Sequence, residues 1–285
     1  MSNGSNGFFT DTTLCIGCKA CEVACKQWNE LPSDGFEFSG NSYDNTRQLS
    51  GTTWRHVSFV EQMGVDRGGS LTDRWLMMSD VCKHCTHAGC MDACPTGAIV
   101  RNEFGNVYIQ PDVCNGCGYC VVSCPFGVVD LIGGKGGDHQ DYNFTNVDER
   151  RNENHATAVQ DTGGVAGKCT LCYDRQRDGF VPACAKACPT ESIQFGNVEE
   201  LKALAVARVE TLQARGVEAS LYGVDSESSV GDLNAFFLLT DRPEAYNLPP
   251  KPVLPATHQP AGYTAAAIAA VLLSVAGAAI FSKAR

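Results

Sequence analysis

One short stretch near the start of the chain decides how the rest of the sequence is interpreted. It reads Cys15-Ile16-Gly17-Cys18-Lys19-Ala20-Cys21-Glu22-Val23-Ala24-Cys25, with its cysteines in the spacing C-x2-C-x2-C-x3-C. The 16 cysteines of the chain fall into four groups of four. In order, they are Cys15, Cys18, Cys21 and Cys25; Cys82, Cys85, Cys90 and Cys94; Cys114, Cys117, Cys120 and Cys124; and Cys169, Cys172, Cys184 and Cys188. No cysteine is left over, so one explanation must cover all of them.

The spacing within the groups points to iron–sulfur clusters. The third group repeats the first, and the second and fourth stretch the pattern between their second and third cysteines. In bacterial ferredoxins with this spacing, three thiolates of a tight loop bind one [4Fe–4S] cluster and the fourth binds its neighbour. Pro95, Pro125 and Pro189 follow the last cysteine of three groups, where a fixed φ suits the first turn of a helix. The spacing therefore predicts four [4Fe–4S] clusters.

Two other uses of so many cysteines are disfavoured. Disulfide-rich chains are usually short secreted domains, whereas this chain has 285 residues and shows no signal peptide at its start. Zinc needs only two C-x-x-C pairs for a closed tetrahedral site. It would leave the third and fourth cysteines of each group, and the prolines, without a reason.

Because each group lends its fourth cysteine to another, the groups must pair. Groups two and three are joined by residues 95–113, which predict a short hairpin, and they form an inner ferredoxin-like module over 82–130. Groups one and four then form an outer ferredoxin-like module from 9–30 and 168–197, so one module is nested inside the other. The predicted ligand sets of sites 1 to 4 are Cys15, Cys18, Cys21 and Cys188; Cys169, Cys172, Cys184 and Cys25; Cys82, Cys85, Cys90 and Cys124; and Cys114, Cys117, Cys120 and Cys94.

The remaining sequence divides into segments of different character. They are an inserted segment 31–81, a Gly-, Asn- and Asp-rich long loop 131–167, a helix–strand extension 198–245, a Pro-rich linker 246–261 and an apolar segment 262–281. Residues 57–60 and 75–78 favour strands. Asn197 is predicted to cap a helix that ends at Gly216. The fold class expected is α+β, with two nested ferredoxin-like two-cluster modules plus a C-terminal transmembrane helix.

The membrane prediction rests on residues 262–281, which carry no charge. A helix of this length spans about 30 Å, the thickness of the hydrocarbon core. A buried core helix is the alternative, but a position after a Pro-rich linker disfavours it. The small residues Ala266, Ala270, Ser274 and Ala278 recur every four positions, which either suits close packing against another membrane helix or reflects only the Ala-rich composition of the segment. The basic residues Lys283 and Arg285 predict an inside tail and a cluster domain on the periplasmic or extracytoplasmic side of the cell membrane.

Charge and motifs exclude several function classes. The net charge of −10 argues against a nucleic-acid partner. No nucleotide-binding motif or catalytic constellation can be singled out, so we expect no catalytic residues and no enzymatic activity in this chain. Five lysines lie within two residues of a cluster cysteine, and they either tune the cluster potentials or are simply solvated. They are Lys19, Lys26, Lys83, Lys168 and Lys186.

Beyond the cysteines, the sequence resembles the iron–sulfur (beta) subunit of membrane-bound formate dehydrogenase. The resemblance lies in Trp28-Asn29 after the first group, Cys124-Pro125-Phe126, Pro189-Thr190 and Asp241-Arg242-Pro243-Glu244-Ala245-Tyr246. It implies a non-catalytic electron carrier between a molybdenum- or tungsten-pterin subunit that oxidises formate and a membrane cytochrome b subunit that serves the quinone pool. It further implies that the outer module faces the catalytic subunit and that the complex is exported with a signal-bearing partner.

Three alternatives stay open at this point. The iron–sulfur subunit of a membrane-bound uptake hydrogenase shares the clusters and the tail, but we would expect it to carry its own twin-arginine signal. Subunits of polysulfide or dimethyl sulfoxide reductases share the clusters but normally lack the span. A self-contained cluster enzyme or redox sensor is disfavoured, because no residue indicates a substrate pocket or an open metal position.

Overall fold

The computed structural model describes residues 4–33, 38, 40, 43–66, 71–132, 164–255 and 259–283. Its strands are β1 (Asn6–Asp11), β2 (Arg55–Asp66), β3 (Leu71–Val81), β4 (Ile99–Arg101), β5 (Val107–Ile109), β6 (Asp130–Ile132), β7 (Val165–Gly167), β8 (Ile193–Asn197), β9 (Ser220–Tyr222) and β10 (Ala235–Leu239). Its helices are α1 (Ala20–Trp28), α2 (Gly89–Asp92), α3 (Tyr119–Val122), α4 (Tyr173–Arg177), α5 (Ala183–Lys186), α6 (Val198–Gln213) and α7 (Gln259–Lys283), with a 3-10 turn at Pro243–Tyr246. This mixture confirms the predicted α+β class.

The largest sheet among the described residues joins β1, near the start of the sequence, to three strands between residues 193 and 239, in the strand order β8-β1-β10-β9. Strand β1 pairs antiparallel with β8 and parallel with β10. Because side chains alternate across a strand, Phe8 and Phe9 enter two different cores. Phe9 stacks on Phe236 with ring centroids 5.5 Å apart and packs under α6. Phe8 lies in a second core that includes cysteines from all four groups.

Helix α6 starts where the sequence predicts. Its N-cap residue is Asn197, whose side-chain oxygen accepts hydrogen bonds from the backbone N–H groups of Glu199 and Glu200 at 2.9 and 3.4 Å. Such a cap satisfies donors that the first turn leaves open. The helix ends at Gln213, slightly before the predicted end at Gly216, whose φ of +77° reverses the chain.

Three hairpins position the cysteine loops. The pair β4–β5 aligns Ile99 with Ile109 and confirms the hairpin predicted between groups two and three. The long pair β2–β3 covers and extends the strands predicted at 57–60 and 75–78. The pair β6–β7 joins the two ends of the predicted long loop, a ladder that the sequence did not indicate. Residues 133–163 of that loop lie outside the described residues.

The short helices that follow the cysteine loops pack in two pairs. Helix α1 packs against α5, and α2 packs against α3. The first pair brings the first and fourth cysteine groups together, and the second pair brings the second and third together.

The C-terminal segment is helical, as α7. Its side chains are exposed over 262–275. Within the part of the chain that the structure describes, no helix is both long and apolar enough to cross a membrane, so the predicted transmembrane helix over 262–281 is not supported.

Candidate iron–sulfur sites

The first cavity of interest opens at the end of the outer module. The cysteines on its wall are Cys15, Cys18, Cys21 and Cys188, the set predicted for site 1. Its open volume is about 290 Å³, counted with the part facing solvent. Among the described residues, no carboxylate lines this cavity, and thiolates are the usual ligands of iron–sulfur clusters. The donor set therefore fits a [4Fe–4S] cluster.

A second cavity of similar size, about 330 Å³, lies in the inner module. Its cysteines are Cys82, Cys85, Cys90 and Cys124, the set predicted for site 3. Three of them come from one group and the last comes from the next group, as in the first cavity.

The cysteines that lie close to Cys25 and to Cys120 correspond to sites 2 and 4. Burial raises the pKa of the Cys25 thiol, and the nearby thiols of the fourth group raise it further; they are Cys169, Cys184 and Cys172. Burial also raises the pKa of Cys120 to about 12, together with Cys114, Cys117 and Cys94. In both sites the structure thus brings the last cysteine of one group among the cysteines of its partner group.

All four cysteine loops turn in the same way. The residue before the second cysteine has a positive φ in each group: Gly17 (+66°), His84 (+46°), Gly116 (+72°) and Leu171 (+55°). This left-handed region is uncommon for residues other than glycine. Its use at two non-glycine positions indicates that the loops are held in one required shape.

Polar groups approach several of the sulfur atoms. The backbone N–H of Leu171 donates to Cys169 Sγ at 3.2 Å, and that of Ala166 donates to Cys114 Sγ at 3.4 Å. Hydrogen bonds to the sulfurs are one of the means by which a protein sets a cluster's potential.

The predicted lysines differ in their surroundings. Lys83 and Lys168 are almost fully buried, whereas Lys186 is exposed. Although burial alone lowers the pKa of Lys168, the thiolates of Cys82, Cys90 and Cys169 raise it overall. Lys168 therefore lies at the junction of the inner and outer modules, and Nζ donates to the carbonyl oxygens of Val107 and Cys169 at 2.6 and 3.0 Å.

A third buried cation, Arg55, was not predicted. It stands 30 positions after Cys25 in the sequence, and no spacing rule connects it to the cysteines. Only the fold brings β2, on which it lies, next to the outer module.

None of the sixteen cysteines forms a disulfide. In the described ranges, no three His, Cys, Asp or Glu side chains are placed to hold a single metal ion. A [4Fe–4S] cube spreads its four thiolates farther apart than a single ion does, so the cavities above are the relevant geometry.

Two family models, both described as a 4Fe–4S dicluster domain, match the chain. One matches residues 14–98, and the other matches residues 73–133 and 154–198. The formate dehydrogenase iron–sulfur subunit of Haemophilus influenzae is 38% identical over 85% of this chain and 67% of its own length. The nitrate-inducible formate dehydrogenase iron–sulfur subunit of Escherichia coli is also 38% identical, over 85% and 71%. This protein belongs to the formate dehydrogenase iron–sulfur subunits.

Membership of this family confirms two of the predictions. As a formate dehydrogenase iron–sulfur subunit, the protein is an electron-transfer subunit of an oxidoreductase complex and not the catalytic one, and it holds [4Fe–4S] clusters. A subunit of the anaerobic dimethyl sulfoxide reductase of Escherichia coli is more distant, at 31% identity over 69% of this protein and 75% of its own length.

Proposed function

We propose that the protein carries four [4Fe–4S] clusters and passes electrons from a formate-oxidising molybdenum or tungsten subunit to a membrane cytochrome b and the quinone pool. The observation that carries the count is the first cavity, where three cysteines of the first group meet Cys188 of the fourth. An exchange of last cysteines between paired groups requires two clusters for each pair. Two such pairs make four clusters, with the ligand sets of sites 1 to 4.

When bound, such clusters serve as one-electron carriers. The role of this protein is to hold the thiolates apart, to shield the buried thiolates from water and to leave an exposed edge where a partner can approach. Cys18 and Ile16 are exposed at site 1, whereas Cys21 is buried. At site 4 the neighbouring Tyr119 and Val122 are half exposed. These two edges give partners a place to approach at either end of a path. The resemblance to the formate dehydrogenase subunits implies its direction, with entry at the outer module next to the catalytic subunit and exit from the inner module next to the cytochrome.

Although no helix among the described residues is long and apolar enough to cross a membrane, the sequence leads us to propose the cell membrane as the location, with a single-pass C-terminal anchor and the cluster domain on the periplasmic or extracytoplasmic side. The uncharged sequence 262–281 and the basic residues Lys283 and Arg285 behind it support this location. The large apolar side chains of α7, among them Ile268 and Leu273, are more than 60% exposed, and a lipid environment would cover them.

The experiment uses the anaerobically purified complex. We expect about sixteen iron atoms for each copy of this protein. A Cys117→Ser variant that still assembles should lose formate-to-quinone electron transfer while it largely keeps formate-driven reduction of a dye, because a dye can collect electrons upstream of site 4. The control is Val113→Ser, which places the same hydroxyl on an exposed position of the same module outside α3. About eight iron atoms would refute the count, and a Cys117→Ser complex that loses dye reduction but keeps quinone reduction would reverse the path.

A second candidate is a subunit of a dimethyl sulfoxide reductase-type complex, which the 31% identity to the Escherichia coli reductase subunit favours. The same purified complex separates the two. Formate oxidation by the co-purified catalytic subunit supports the first proposal, and sulfoxide reduction without formate oxidation supports the second.

A further inference from the structure

Arg55 is a fully buried cation beside the outer module. It is the first residue of β2, and only 1% of its surface is exposed. Its guanidinium carbon lies 4.7 Å from the ring centroid of Phe8. Among the described residues no carboxylate pairs with it, although a buried charge is costly unless something compensates it.

Only part of the Arg55 guanidinium has hydrogen-bond partners among the described residues. Nη1 donates to Ser79 Oγ at 3.0 Å, and that hydroxyl lies 3.2 Å from Cys21 Sγ. Nε and Nη2 are buried and have no hydrogen-bond partner in the described part of the chain. Buried donors in native proteins are nearly always paired, so these two N–H groups point to an acceptor that the polypeptide does not itself supply.

The thiols around Arg55 identify where that acceptor belongs. Although burial alone lowers the pKa of the guanidinium, four cysteines raise it; they are Cys184, Cys21, Cys169 and Cys25. Cys21 belongs to site 1, and the other three belong to site 2. The side chain is therefore placed between the two sites of the outer module.

We propose that Arg55 is a counter-charge shared by the two outer clusters and that Nε–H and Nη2–H donate hydrogen bonds to their sulfur atoms. This inference rests on the ligand sets proposed above. Each reduction adds one electron, delivered by the donor subunit, and makes a cluster more negative by one charge; no proton moves, and the guanidinium keeps its charge. A fixed positive charge and hydrogen bonds to sulfur favour the more negative state, so Arg55 raises the reduction potentials of sites 1 and 2.

The test is a redox titration of the whole complex followed by electron paramagnetic resonance. The variants are Arg55→Gln, which removes the charge, and Arg55→Lys, which keeps the charge but not the planar set of donors. The control is Arg215→Gln, an identical loss of charge at an exposed position after α6. The signal of site 1 is the one that changes in a Cys18→Ser variant, and the signal of site 2 is the one that changes in a Cys172→Ser variant.

We expect Arg55→Gln to lower the reduction equilibrium constants of both outer clusters at least tenfold, which is about 59 mV for one electron, with the larger effect at site 2. Arg55→Lys should give a smaller shift in the same direction, and Arg215→Gln should give none.

Unchanged potentials in an iron-complete Arg55→Gln complex, or an equal shift of all four clusters, would overturn the proposal. If Arg55→Gln fails to assemble, Arg55→Lys decides, because unchanged outer potentials there would contradict the donor role. An iron content well below sixteen in the unmodified complex would instead count against the proposed function.

Discussion

At the scale of single residues, the cysteine loops depend on a backbone shape as much as on sulfur. Gly116 precedes Cys117 with a φ of +72°, and a Cβ atom built there would lie 2.1 Å from the carbonyl oxygen of Gly164. Gly179 has nearly the same φ, +76°, but has no neighbour within 4 Å of such a Cβ atom. Alanine substitutions at these two glycines therefore separate the cost of the left-handed backbone from the cost of the steric clash.

We predict that Gly116→Ala is clearly more damaging than Gly179→Ala. A left-handed alanine alone costs about 1–2 kcal/mol, which lowers a thermal midpoint by roughly 2–8 °C in a protein of this size. Gly116→Ala should exceed that loss and also reduce the iron bound at site 4, because the loop must shift away from β7. Anaerobic thermal unfolding and iron analysis of both complexes measure this. Equal midpoints and full iron in both would show that Gly116 can be replaced without moving the loop.

At the scale of elements, one face of α6 packs against the sheet β8-β1-β10-β9. Leu201 is 7% exposed and packs with Phe9 and Phe236, whereas Leu204, three residues later, is 46% exposed. The helix thus buries one leucine and leaves the other in contact with water.

We predict that Leu201→Ala lowers the free energy of unfolding by about 2–5 kcal/mol, because it removes apolar contacts and leaves a cavity. Leu204→Ala is the matched control and should change stability by about 0.5 kcal/mol or less. Thermal midpoints of the two variants, measured side by side, check the ranking. A loss for Leu204→Ala as large as that for Leu201→Ala would mean that its outer face is covered by another subunit.

At the scale of the whole molecule, the property to test is the side of the membrane on which the cluster domain lies. We predict that protease added to right-side-out vesicles cuts the complex within residues 131–167, a Gly-rich segment of the kind that proteases reach. Inverted vesicles are the control and should protect it. Cleavage only in inverted vesicles would reverse the orientation argued from Lys283 and Arg285.

The predictability of the structure depends on how local each feature is. The cysteine spacing and the β4–β5 hairpin are encoded over a few dozen residues, and both could be read from the sequence. The pairing of β6 with β7 joins Leu131 to Ala166, and β1 with β10 joins Phe9 to Phe236. Such contacts leave no local pattern. Arg55 was missed for the same reason, since only the long β2–β3 hairpin carries it to the cysteines.

The position of β1 in the sheet β8-β1-β10-β9 has a consequence for the order in which the protein folds during synthesis. This strand leaves the ribosome before every other described strand, yet its neighbours β8 and β10 lie at 193–197 and 235–239. No backbone partner of β1 in this sheet exists until most of the chain has been translated, and contacts so distant in sequence are slow to form. Residues 82–130, by contrast, contain both cysteine groups of the inner module and the β4–β5 hairpin between them. All cysteines of the inner module are therefore synthesised well before β8 and β10, the two partner strands of β1.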